Sequence, residues 1–259
     1  MIDTPAISIS PDMFILEVVD PPEIVVINLD RRPDRWAAMQ ESWHPEVAKR
    51  FVRFSATDGR LLAPHDVEPH QTANKLNVEK AAAEVACRQS WIRAVEEFGP
   101  ALYFEDDARP GDLWPYGLPP DDATLVLLGG FLWRKTRRPG WCPAWYGASG
   151  AHAVWLRTDR AAKSLVRAWQ SDDRRFEPID ISWSTALIRS RAVIAVPQMV
   201  LQVDLGTDIQ IGRTFHRGES SPFDPWCSLE GGLQQVRRSN SWIHYGYDDP
   251  EIVSRAPSK

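Results

Sequence analysis

Ala101-Leu102-Tyr103-Phe104-Glu105-Asp106-Asp107-Ala108 is a short apolar run that leads straight into three consecutive carboxylates. Gly99-Pro100 closes a helix-like segment just before it, so the run reads as a strand entered from a helix. Three neighbouring acids repel one another, and the end of a buried strand does not carry them without a compensating cation. Oxygen ligands suit Mg²⁺ and Mn²⁺, and such a metal can in turn hold a diphosphate. By the two-residue alternation of a strand, Glu105 and Asp107 share one side, while Asp106 points the other way as a supporting residue. The competing reading is a solvated acidic turn, because surface carboxylates are common.

Outward from this stretch the pattern alternates. Asn77 is placed to cap a helix over 78–98, with Val85, Trp91, Ile92 and Val95 as its buried face. Upstream, Ile24-Val25-Val26-Ile27-Asn28-Leu29 is a β-branched run bounded by prolines, which predicts a buried strand. A helix over 34–43 follows, and then a second strand, Phe51-Val52-Arg53-Phe54-Ser55-Ala56, closed by Asp58-Gly59. Residues 60–76 read as a polar loop. Downstream, strands are predicted at 125–128, 151–156 and 192–196, with helices at 158–170, capped by Thr158, and at 179–188.

Residues 131–148 read as a long basic and aromatic loop containing Trp133, Trp141 and Trp145, whose rings can stack on a sugar or base or simply pack in the interior. Strands alternating with helices predict an α/β fold with a mostly parallel sheet. The expected organisation is an N-terminal arm over 1–22, one main domain over 23–203, and a loop-rich C-terminal extension over 204–259.

Composition sets the bounds. The chain has 259 residues, 43% hydrophobic and 25% charged, enough for a sizeable core in a globular α/β domain. A net charge of −5 gives no general electrostatic reason to expect nucleic acid. The three cysteines, Cys87, Cys142 and Cys227, are too far apart for a zinc ribbon or a disulfide framework. Reduced thiols fit a cytoplasmic location. No basic, then apolar, leader opens the chain, and no apolar run approaches the ~20 residues needed to span a bilayer. Oligomeric state is not legible.

Several stretches resemble glycosyltransferase family 25, which includes bacterial lipooligosaccharide galactosyltransferases and procollagen galactosyltransferases. Ile27-Asn28-Leu29-Asp30-Arg31-Arg32-Pro33-Asp34-Arg35 resembles its opening motif, Phe54-Ser55-Ala56-Thr57-Asp58-Gly59 its second, and Tyr103 to Ala108 its Glu-Asp-Asp motif. Residues 148–165 are similar to the strand and helix that follow. Pro178-Ile179-Asp180 is similar to its Pro-Val-Asp, and Thr207-Asp208-Ile209 to its late Ser-Asp-Ile. One departure is clear. Where the family usually has Gly-Cys-x-x-Ser-His, this chain has Ala86-Cys87-Arg88-Gln89-Ser90-Trp91, with Trp91 in the place of the histidine.

The resemblance implies a GT-A-like fold and metal-dependent, inverting transfer from a nucleoside-diphosphate sugar, UDP-hexose first, to a hydroxyl acceptor such as a glycan. It implies a metal site of Asp107 and Glu105 with a C-terminal histidine, His216 ahead of His244. It places Asn28, Asp30, Arg31 and Arg35 in the nucleotide-binding half, with Glu105 and Asp106 beside them. Asp58 can accept hydrogen bonds from a uracil or ribose, though Asp-Gly is also a plain turn former. Inversion needs a general base, for which Asp180 is the candidate and Asp208 the second. Two other readings share the donor half. One is a sugar transferase acting on modified bases of nucleic acid, gripping phosphates through the 131–146 loop and Arg213, Arg217, Arg237 and Arg238. The other is a non-catalytic nucleotide-sugar-binding module.

Overall fold

The computed structural model describes residues 10–17, 23–111, 117–132, 140–144, 148–171, 177–196 and 198–203. In chain order the elements begin with α1 (Pro11–Glu17), β1 (Ile24–Asn28), α2 (Pro33–Ser42), α3 (Pro45–Ala48) and β2 (Phe51–Ser55). A 3₁₀ turn at Gly59–Leu61 leads to α4 (Pro64–Asn74), α5 (Val78–Phe98), β3 (Leu102–Glu105) and β4 (Ala108–Pro110). Short strands follow: β5 (Leu125–Leu127), β6 (Phe131–Leu132), β7 (Gly140–Pro143), β8 (Ala148–Ser149) and β9 (Ala153–Leu156). The described part closes with α6 (Asp159–Gln170), α7 (Ile179–Ser182), α8 (Ser184–Arg189), β10 (Val193–Val196) and β11 (Val200–Gln202).

The main sheet has seven strands in the order β2-β1-β3-β9-β5-β10-β7. Pairs β1–β2, β1–β3 and β5–β10 are parallel, whereas β9 and β7 run against their neighbours. Five strands therefore share one direction and two oppose it, so the sheet is mostly parallel but mixed. All five residues of β1 are buried, because helices cover both faces. Val25 and Ile27 face a core layer shared with Trp91, Leu165, Trp169 and Trp183. Ile24 and Val26 face the other layer, with Phe14, Met39, Trp43 and Val47.

The local signals act as their chemistry dictates. Asn77 Oδ1 accepts the Lys80 amide at 2.8 Å, which starts α5, and Gly99 ends it with φ 65°. Thr158 Oγ1 accepts the Ala161 amide at 3.2 Å, which starts α6. On α5, Trp91 and Val95 are buried as expected, but Val85 and Ile92 are only partly so, and alanines complete the face.

Three expectations are corrected. Part of the predicted N-terminal arm forms α1, whose Phe14 and Ile15 are fully buried. Residues 60–76 are not a loop. Pro64 sits at the first turn of α4, where a missing N–H costs nothing, and Val67 and His70 face inward. The 131–148 loop carries three short strands, and Trp141 packs 5.9 Å from Phe14 while donating its indole N–H to the Gly117 carbonyl. Trp133 and Trp145 lie outside the described residues. Among the described residues no helix is long and apolar enough to cross a membrane.

Candidate functional site

Parallel pairing sets the ends of three motifs side by side. In register, Ile27 of β1 faces Glu105 of β3, and Asn28 faces Ser55 of β2. The first motif, the second motif and the acids thus leave the sheet at one edge, the carboxyl ends of adjacent parallel strands, where open α/β sheets take their ligands.

The two-residue alternation does not continue past Glu105. Asp106 and Asp107 form a turn into β4, which pairs antiparallel with β11. The three carboxylates therefore take separate partners. Asp106 turns toward α2 and is held by Arg35 at 2.6 Å on Oδ1 and by Asn28 Nδ2 at 2.7 Å on Oδ2. Asp106 is 5% exposed and Arg35 8%. Burial pushes the Asp106 carboxyl up from its ordinary value, with Asp107 adding to that, while Arg35 and Asn28 oppose it. Asn28 is fully occupied, since its Oδ1 also accepts Arg53 Nε at 2.7 Å and its Nδ2 reaches the Arg32 carbonyl. Asn28 and Arg35, both expected in the nucleotide-binding half, here anchor the acid turn from beneath.

Asp107 has a different environment. It is 7% exposed, and Gln202 of β11 donates to its Oδ2 at 3.2 Å. Its Oδ1 is buried with no hydrogen-bond partner among the described residues. Burial raises its pKa, opposed in part by Arg35, Gln202 and Arg109. Arg109 is itself buried, donating to the carbonyls of Asp106 and Ala108.

Glu105 remains on the α5 side, partly buried, with its Oε1 accepting the indole N–H of Trp91 at 3.1 Å. One turn of α5 adds further links between motifs. Ser90 Oγ accepts the Thr57 amide at 2.8 Å, which fixes the second motif. Arg88 donates to the Trp169 carbonyl at 2.7 Å and to the Glu177 carbonyl, just before Pro178-Ile179-Asp180. Gly59 is required because a Cβ there would lie 2.7 Å from the Ala82 carbonyl oxygen, so the Asp-Gly turn can press directly on α5.

At the rim, Arg31 pairs with Asp58 at 2.8 Å, both partly accessible. Asp30 is exposed, accepting from Ser55 Oγ at 2.6 Å and pairing with Arg53 at 3.2 Å. Asp180 falls in α7, and its side chain, like Asp208 and His216 as whole residues, lies outside what the structure describes. Among the described residues, no three carboxylate, histidine or cysteine side chains are grouped as a metal ion would need.

Four contributors have no role assigned from the sequence: Arg53, Arg88, Gln202 and His152. His152 sits next to the acids, its carbonyl accepting the Glu105 amide at 3.1 Å. Its ring is fully buried against Gly129, with Nε2 3.1 Å from the Val200 carbonyl oxygen, and burial lowers its pKa to about 4. The only hint available in the sequence was a histidine inside an otherwise apolar strand pattern.

No protein-family model matches the chain, and no curated protein matches it either.

Proposed function

We propose that the chain is a metal-dependent, inverting glycosyltransferase of GT-A-like architecture. It would move a sugar from a nucleoside-diphosphate sugar, UDP-hexose first, to a hydroxyl acceptor on a glycan. The observation that carries this reading is the uncommitted Oδ1 of Asp107, a buried carboxylate oxygen at the carboxyl end of β3. Burying a carboxylate without a full set of partners is costly, and a bound cation reverses that cost.

The donor set fits a hard cation. Asp107 and Glu105 offer carboxylate oxygens suited to Mg²⁺ or Mn²⁺, and His216 is retained as the proposed third ligand. When bound, the metal supplies Lewis-acid stabilisation of charge developing on the leaving diphosphate.

The chain's own residues divide the remaining work. Arg35 and Asn28 hold Asp106, which orients the turn so that Asp107 presents its Oδ1. Trp91 orients Glu105. Arg31, Asp58 and Asp30, still accessible at the rim, are left for the base, ribose and phosphates. Asp180 takes the proton from the acceptor hydroxyl, with Asp208 as the alternative base. Arg88, by fixing the segment before Pro178, positions α7 for that role.

Thermal shift against a panel of nucleotide sugars, with Mn²⁺ or with EDTA, tests the reading. UDP-hexose is expected to raise the melting temperature of the wild type only with Mn²⁺, and to leave Asp107→Ala unmoved. No shift with any nucleotide sugar sinks the donor assignment, and an unchanged shift in Asp107→Ala sinks the ligand assignment. Asp180→Asn is expected to keep the donor shift and to depress transfer; unchanged transfer removes it as the base.

A further inference from the structure

A second concentration of charge lies away from the acid turn. Arg160, Lys163, Ser164 and Arg167 recur at the spacing that forms one stripe of α6, while Ala161, Leu165, Val166 and Trp169 form the buried stripe. Arg189 and Ser190, at the end of α8, face the charged stripe across an open concavity of about 560 Å³ that Asp159 also lines. Four cations against one carboxylate leave a local excess of three positive charges, on a chain whose net charge is −5. None of the four cations has an ion-pair partner among the described residues. The Ser164 Oγ is buried there with no hydrogen-bond partner among the described residues.

The concavity sits at the opposite edge of the sheet from the acids. Asp159 Oδ1 lies 3.8 Å from where a Cβ on Gly99 would be, and Gly99 precedes β3. The Ser190 carbonyl accepts the Thr124 amide at 3.1 Å, just ahead of β5. These are the amino ends of β3 and β5, whereas the acid turn follows the carboxyl end of β3.

We propose that this concavity is an anion site that takes a phosphate-bearing ligand, separate from the acid turn and independent of the nucleotide-sugar reading. Four like charges gathered around a single counter-charge repel one another, and a multiply charged anion relieves that repulsion. Guanidinium groups offer paired N–H donors that match phosphate oxygens, and the serine hydroxyl adds a further donor. One carboxylate would not neutralise four cations; a phosphate monoester or diphosphate matches them better. The volume admits a ligand of diphosphate size or larger. Soluble phosphates and phospholipid headgroups share this chemistry.

Calorimetric titration of the full chain with pyrophosphate in EDTA tests the site, since EDTA removes any metal-dependent binding at the acid turn. A parallel arm uses co-sedimentation with vesicles of phosphatidylcholine containing anionic phosphatidylglycerol. Saturable binding in either arm is expected, weaker at higher salt and weakened about 10-fold or more in Lys163→Gln/Arg167→Gln and in Arg189→Gln. These side chains are exposed, so the variants should fold, and circular dichroism checks it. Binding by pyrophosphate assigns a soluble ligand; binding by vesicles alone assigns a headgroup. Absence of saturable binding in both arms overturns the proposal, as does binding that folded variants retain at full strength.

Discussion

The indole N–H of Trp91 donates to Glu105 Oε1 at 3.1 Å, from a ring that is fully buried between Tyr103 and Trp169. The helix before the acids is therefore wired into them directly. Trp91→Phe removes the donor and trims the ring. The expected loss is about 1–3 kcal/mol of stability, read as a lower urea midpoint at unchanged slope. An unchanged midpoint would show that the bond contributes nothing beyond packing.

Arg35 and Asp106 form a buried pair, so removing one partner strands the other. Arg35→Met should cost about 3–5 kcal/mol. The double variant Arg35→Met/Asp106→Leu should cost less than the sum of its single changes, because neither charge is then left alone. Urea unfolding of the four proteins measures the coupling, and strict additivity would contradict the pairing.

Asp107 predicts an unusual separation of stability from ligand binding. Its folded pKa is raised, so its contribution favours the fold below the ordinary value of 3.8 and is lost as pH rises through the higher folded value. In EDTA at pH 7, Asp107→Asn should match or exceed the wild type in stability, with the gap closing toward pH 3.8. Mn²⁺ should stabilise only the wild type. A clearly less stable variant in EDTA would mean that the carboxylate gains more from Gln202 and the nearby arginines than its burial costs.

His152 works in the opposite direction. Burial lowers its pKa from 6.5 to about 4, so the unfolded chain takes up a proton that the folded one refuses. Stability from this group is complete above pH 6.5 and falls as pH drops toward 4, by roughly 3 kcal/mol in all. Denaturation midpoints across that range should show the slope in the wild type and lose it in His152→Gln.

Gly129 is a packing requirement. A Cβ there would lie 2.1 Å from His152 Nε2 and 2.4 Å from the Val200 carbonyl oxygen, and the backbone oxygen cannot move cheaply. Gly129→Ala should destabilise by about 1–3 kcal/mol or more, measured as a lower thermal midpoint.

Much of the framework was legible along the chain. β1, β3, β5, β9 and β10 announce themselves as apolar runs bounded by breakers, and α5 and α6 by their capping residues. What escaped had weak or misleading local signals. α4 is rich in polar residues and holds two prolines, yet Pro64 opens the helix and Val67 and His70 alone supply its buried side. In α1, the apolar Phe14 and Ile15 were diluted by flanking prolines. At the acids the strand period was carried two residues too far, because the turn at Asp106-Asp107 depends on β4 finding β11.

The sequence by itself determined where most strands of the main sheet and the helices α2, α5 and α6 form, and that the acids follow a buried strand. These outcomes rest on backbone preferences and apolar periodicity within a few neighbouring residues. Only the tertiary structure decided which acid is neutralised and which keeps a buried oxygen with no hydrogen-bond partner among the described residues. Asn28 reaches Asp106 across 78 residues of chain, Arg35 reaches it across 71, and Gln202 reaches Asp107 across 95. Such partners are chosen by strand register and by a turn that sends adjacent carboxylates in different directions, and no local propensity encodes either one.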